Sequence, residues 1–162
     1  MGDHPPADLV IESASGDRTL QIGAVIGRSL RRGDVLCLEG DLGTGKTVIV
    51  QGLARSLGYN GNVPSPTFTI INPYPEIGLC HVDAFRLEGD TDLIDAGIEE
   101  YLDGDWICAV EWAERVRGAL PGRVLEARIE FGPAEDDRVI RLAPRGWNGR
   151  MPALVEGLRE HA

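Results

Sequence analysis

Asp34-Val35-Leu36-Cys37-Leu38-Glu39-Gly40-Asp41-Leu42-Gly43-Thr44-Gly45-Lys46-Thr47-Val48-Ile49-Val50 is the stretch that decides the fold. Asp34 to Glu39 has the length and apolar content of a buried strand. It passes into G-x-x-x-x-G-K-T at Gly40 to Thr47, and Val48, Val50, Leu53, Ala54 and Leu57 continue as an apolar helix closed by Gly58. In this order of strand, glycine loop and helix, the glycines let backbone N–H groups turn inward toward a phosphate. The helix start adds its positive dipole end. Lys46 is then placed to bridge β- and γ-phosphates, and Thr47 to offer its hydroxyl to Mg²⁺.

The neighbouring segments supply the rest of an α/β domain. Leu9-Val10-Ile11 reads as a short strand, and Arg18 to Arg32 as an amphipathic helix stopped at Gly33. Thr67 to Ile71 has strand composition and is interrupted by Pro73 and Pro75. Ile77 to Val82 and Trp106 to Val110 are apolar strands ending at Asp83 and Glu111, with short helical segments from Thr91 to Leu102 broken at Gly97. Val124 to Phe131 and Arg138 to Leu142 alternate apolar and polar residues as a hairpin with one solvated face, and Pro152 to Arg159 reads as a final short helix. The expected architecture is a single P-loop NTPase-like domain over residues 8–162. Its mixed, mostly parallel central sheet is flanked by helices and carries a C-terminal antiparallel hairpin. Residues 1–7 are expected to be a mobile arm.

Composition bounds the partners. The chain has 162 residues, 16 Lys plus Arg against 26 Asp plus Glu, and a formal net charge of −10. A surface this acidic repels phosphate backbones, so tight nucleic-acid binding by this chain alone is not expected. No apolar run reaches the roughly 18 residues of a membrane span, and the N-terminus lacks the basic and apolar regions of a secretory signal. A cytoplasmic protein is expected. Cys37, Cys80 and Cys108 are odd in number, lack metal-site spacing and lie in apolar runs, so they read as core filler with no disulfide-linked partner. Lys46 is the only lysine beside fifteen arginines. That leaves no lysine for the Asn-Lys-x-Asp motif of guanine-reading GTPases.

A phosphate loop needs a carboxylate at a neighbouring strand end, because Mg²⁺ takes oxygen ligands from one or two protein groups plus phosphate and water. Asp83 and Glu111 both qualify, one as a magnesium ligand and the other as its partner or the group that orients water; the spacing does not say which. His81 lies two residues before Asp83, hence on the same strand face, where a packed histidine is the commoner outcome than a base. Ser65-Pro66-Thr67 is either a simple turn or a loop whose hydroxyl senses γ-phosphate. Trp112 is either core or a wall of the nucleotide site, and Arg86 either a surface residue or a neutraliser of phosphate charge.

Four separated segments now agree: Gly40 to Thr47, Ser65-Pro66-Thr67-Phe68-Thr69, His81-Val82-Asp83-Ala84-Phe85-Arg86-Leu87, and Glu111-Trp112-Ala113-Glu114-Arg115. Together they resemble the TsaE (formerly YjeE) family, the bacterial ATPases of tRNA threonylcarbamoyladenosine biosynthesis, over roughly residues 8 to 145. The resemblance implies ATP with Mg²⁺ as cofactors, TsaB and TsaD as protein partners, and tRNA met mainly through that complex. It implies a nucleotide contact set of Asp41, Leu42, Gly43, Thr44, Gly45, Lys46, Thr47 and Val48, joined by Thr67 as a switch-like sensor and by Trp112. Lys46, Asp83 and Glu111 would carry catalysis, and Thr47, Asp83 and Glu111 would hold the metal. Ala84-Phe85 stands where the family commonly has Leu-Tyr, and Thr44 where it commonly has alanine. Two other classes remain open at this point: a small-molecule P-loop kinase, and a nucleotide-dependent interaction module without meaningful hydrolysis.

Overall fold

The computed structural model describes residues 8–64, 69–147 and 151–160. The expected arm at 1–7 and the loop residue Thr67 lie outside these described residues. Strands β1 (Leu9–Ser13), β2 (Val35–Glu39), β3 (Ile71–Tyr74), β4 (Leu79–Asp83), β5 (Ile107–Glu111), β6 (Val124–Phe131) and β7 (Arg138–Arg145) form a seven-stranded sheet in the order β1-β7-β6-β2-β5-β4-β3. Helices α1 (Gly16–Ser29), α2 (Lys46–Ser56), α3 (Asp90–Asp95) and α4 (Met151–Glu160) flank it. The fold is α/β with a mixed sheet.

Parallel pairing is confined to β4, β5, β2 and β6. The pairings β1–β7, β6–β7 and β3–β4 are antiparallel, which corrects the expectation of a mostly parallel sheet. For β6–β7 and β3–β4 the reason is that short connections such as Gly132 to Asp137 can return the chain only antiparallel, whereas parallel neighbours need a long crossover.

Up to their acidic ends β2, β4 and β5 are apolar apart from His81, because both sheet faces are covered. Ile22, Ile26, Ile49, Leu53 and Leu154 from α1, α2 and α4 pack on Leu36, Leu38, Ala109 and Leu125 on one face. Leu93 of α3, Ile98, Ala113 and Val116 pack on Cys37, Val82 and Val110 on the other. All three cysteines are buried and free, as core filler should be. Burial pushes the Cys37 thiol up to about 12, so it stays protonated and unreactive.

Two boundaries differ from the sequence reading. α1 begins before Arg18 because the Ser15 hydroxyl accepts from the Arg18 N–H at 3.0 Å, capping the helix at Ser15. β3 runs through Pro73 rather than stopping at it, and Thr69 and Ile70 precede the strand. β3 is the sheet's edge, where a residue without an N–H can be accommodated on the open side.

α1 and α2 meet backbone to backbone. A Cβ on Gly52 would stand 2.0 Å from the Leu20 carbonyl oxygen, so only glycine permits this approach. That contact sets how closely α2 lies beside α1 on the same face of the sheet.

Candidate functional site

The parallel strands end on one side of the sheet, and β2 lies between β5 and β6 there, the position where open α/β sheets bind ligands. Register makes the arrangement specific: Asp83 is the direct partner of Glu111, and Leu38 of β2 is its partner on the other side. The two strand-end carboxylates therefore stand side by side facing the start of α2. A cavity of about 490 Å³ opens between them and the glycine loop.

Gly45 ends the loop with φ +111°, and Lys46 opens α2. The first amides of that helix have no carbonyl partner within it, and with the helix dipole they favour an anion. Lys46 is buried, 4% exposed, and its Nζ donates to the Gly40 carbonyl at 2.6 Å and the Asp41 carbonyl at 2.9 Å. It also lies 4.2 Å from the centre of the Trp112 ring. Burial lowers its pKa, while Glu111, Glu114, Asp83 and Asp41 pull the other way.

The Thr47 hydroxyl donates to the Glu111 carboxylate, with its oxygen 3.0 and 3.1 Å from Oε1 and Oε2. His81 Nε2 donates to Oε2 of the same group at 2.5 Å. Glu111 is 3% exposed and His81 fully buried, so this chain of three groups holds one carboxylate in one orientation. His81 Nδ1 has no partner among the described residues. The histidine thus combines the packed role with a specific contact to the site. Asp83 is only partly buried and accepts from the Phe85 N–H at 2.9 Å. Desolvation raises its pKa, and Glu111 adds to the rise, against the Phe85 bond, His81 and Lys46.

Trp112 follows Glu111 with φ 59°, the one non-glycine residue with positive φ among those described. This strained backbone turns the ring to the cavity wall, where it packs on Phe85 with centroids 5.0 Å apart. Arg115 lies 5.6 Å from the Trp112 ring centre. Trp112 is thus partly in the core and partly a wall.

The cavity gathers Leu42, Gly43, Gly45, Lys46, Thr47 and Val48 from the loop side, with Asp83, Glu111, Trp112 and Arg86 opposite. Thr44 is not among its walls; it is 1% exposed and its hydroxyl donates to the Asp41 carbonyl. Asp41 instead borders a neighbouring cavity of about 410 Å³ with Glu39, Glu114 and Phe131. Phe85, Thr69 and Ile70 also line the main cavity, unnominated by the sequence reading. Phe85 had a signal, its place two residues after Asp83; Ile70 looked only like strand.

Fold and site together define an α/β protein with a mixed seven-stranded sheet, a glycine loop leading into a helix, and an acidic pair beside it. The family model for threonylcarbamoyl adenosine biosynthesis protein TsaE matches residues 13–140. The tRNA threonylcarbamoyladenosine biosynthesis protein TsaE of Bacillus subtilis is 38% identical over 147 residues, 90% of each chain. Its counterpart from Nostoc is 43% identical over 137 residues, 81% of this chain and 83% of that one. The crystal structure of Bacillus subtilis YdiB superposes with a TM-score of 0.76 at 32% identity, covering 98% of this chain and 99% of the other. The chain belongs to the TsaE family, which takes part in tRNA threonylcarbamoyladenosine biosynthesis.

Proposed function

We propose that this chain is a P-loop ATPase that binds ATP with Mg²⁺ and hydrolyses it in support of tRNA threonylcarbamoyladenosine formation. TsaB and TsaD are its protein partners, and tRNA is met mainly through them. The observation that carries the reading is the convergence of Lys46, Thr47, Asp83 and Glu111 on one cavity at the N-terminus of α2. A glycine loop, a helix start and a buried lysine suit phosphate, which is bound by inward amides and positive charge.

The donor set fits magnesium. Thr47, Asp83 and Glu111 offer hard oxygens on one cavity. That matches an ion held by one or two carboxylates together with phosphate and water. When bound, magnesium would neutralise charge on the phosphate oxygens.

The protein's own groups do the rest. Lys46 leaves the loop carbonyls for phosphate oxygens, whose negative charge favours the ammonium against the burial that lowers its pKa. Thr47 and His81 keep Glu111 oriented on the metal side. With both Glu111 oxygens engaged by Thr47 and His81, Asp83, the more exposed carboxylate on the cavity, is the one left to take a proton from the attacking water. Trp112 and Phe85 shield one wall from bulk solvent. The acidic surface leaves tRNA contact to the partners, and turnover alone is slow.

The test is ATP turnover by the purified chain, alone and with TsaB, TsaD and tRNA, with Lys46→Ala as the blank. The expected result is turnover that rises with the partners and falls to the blank's level in the variant. Turnover equal to the blank in every mixture overturns the hydrolysis reading. Consumption of ATP that depends on a metabolite rather than on the proteins would indicate a kinase.

A further inference from the structure

Arg138, the first residue of β7, lies 94 residues from the glycine loop in sequence and is bonded to the back of it. Its Nε donates to the Thr44 carbonyl at 2.8 Å and its Nη2 reaches the Gly43 carbonyl at 3.4 Å. Nη1 donates to the carbonyls of Glu135 and Asp137, each at 2.8 Å, in the turn before β7. The guanidinium also lies 4.8 Å from the Phe131 ring centre at the end of β6. One planar cation therefore fastens the β6–β7 turn to the loop.

The bond to Thr44 has a consequence for the loop's far side. The peptide joining Thr44 to Gly45 is trans, so its C=O and N–H point in opposite directions. A carbonyl drawn outward to Arg138 aims the Gly45 N–H away from Arg138. Gly45 itself lines the cavity, whereas Thr44 does not. Without a partner for that carbonyl the peptide would turn over easily, because Gly45, at φ +111°, has no Cβ to oppose negative φ. A flip would present a carbonyl oxygen where a phosphate needs a donor.

We propose that Arg138 is a positioning residue that holds the Thr44–Gly45 peptide in its phosphate-binding orientation. This rests on the nucleotide reading of the site and adds to it a residue that touches no nucleotide. It also makes the β6–β7 turn responsive to nucleotide: what the turn does to the loop, a bound phosphate does to the turn, by the reciprocity of linked equilibria.

The experiment is a fluorescence titration of the full chain with methylanthraniloyl-ADP and methylanthraniloyl-ATP in Mg²⁺, comparing the parent with Arg138→Gln, Arg138→Lys and Lys46→Ala. Arg138→Gln should weaken both nucleotides about tenfold, and it should shrink the rise in thermal midpoint that saturating nucleotide causes. Arg138→Lys, which keeps a charged donor for one carbonyl, should recover part of the affinity. A variant that is merely less well folded would lower the unliganded midpoint and leave the affinity of its folded fraction unchanged. Arg138→Gln within twofold of the parent, while Lys46→Ala has lost binding, overturns the positioning role and leaves the nucleotide site standing. Binding unchanged in Lys46→Ala overturns the site reading, and absence of binding by the parent overturns both.

Discussion

Glu111 is the most confined charge-bearing group at the site, and its energetic dependence on His81 can be worked out in advance. His81→Leu removes the donor 2.5 Å from Oε2 and leaves a carboxylate that is 3% exposed with Thr47 as its remaining partner. Breaking a buried pair from one side costs about 3–5 kcal/mol. Glu111→Leu leaves the His81 ring, already unpartnered at Nδ1, without its Nε2 contact, at a cost of about 1–3 kcal/mol. The double variant replaces both groups by apolar side chains of similar volume, a change that is often neutral or stabilising. Only Thr47, whose hydroxyl then lacks its acceptor, adds a cost of about 1 kcal/mol. The double variant should therefore be more stable than His81→Leu alone by about 2 kcal/mol or more, with a coupling energy of at least about 3 kcal/mol. Urea unfolding of the nucleotide-free proteins, followed by tryptophan fluorescence, measures all three differences if the m-values agree. The single variants stay folded at low temperature where the parent's stability, within the usual range of about 5–15 kcal/mol, exceeds that cost. Effects that add within about 0.5 kcal/mol would refute the reasoning, since independent sites behave that way.

Two further outcomes test other parts of the site. Burial holds the Asp83 carboxyl above its ordinary value of 3.8, so the folded chain binds that proton more tightly than the unfolded one. The resulting stability is complete below the ordinary value and is lost as pH rises through the raised one, which makes ionised Asp83 a cost at neutral pH. Asp83→Asn should accordingly raise the thermal midpoint of the nucleotide-free protein by roughly 1–3 °C at pH 7, with the gain vanishing toward pH 4; an equal gain at both pH values would contradict the assignment. Gly52→Ala should lower the midpoint in calorimetry by several degrees, because a methyl 2.0 Å from the Leu20 carbonyl forces α1 from α2 and outweighs the ~1 kcal/mol of helix propensity gained. Gly16→Ala, with open space around its Cβ, should show no such fall.

Much of this protein is written in local pattern. The strand, glycine loop and helix from Asp34 to Leu57 are legible because each depends on a few adjacent residues: an apolar run, a phosphate-loop spacing, a helical periodicity. The same holds for Asp83 and Glu111, since a carboxylate that ends a buried strand marks itself by the change in polarity. The family was legible for a related reason: four short segments keep their order and spacing.

Tertiary structure decided what depends on residues far apart in the chain. That Glu111 is shared by Thr47 and His81 follows from β5 lying beside both β4 and β2, an order of strands that no local signal states. Pro73 sits within a strand because β3 is an edge, and edges exist only once the sheet is assembled. Trp112 faces the cavity through a left-handed backbone that its composition opposes and its surroundings impose. Arg138 was one arginine among fifteen; the antiparallel β6–β7 hairpin brings it to the glycine loop, a closure across 94 residues that only the packed sheet supplies.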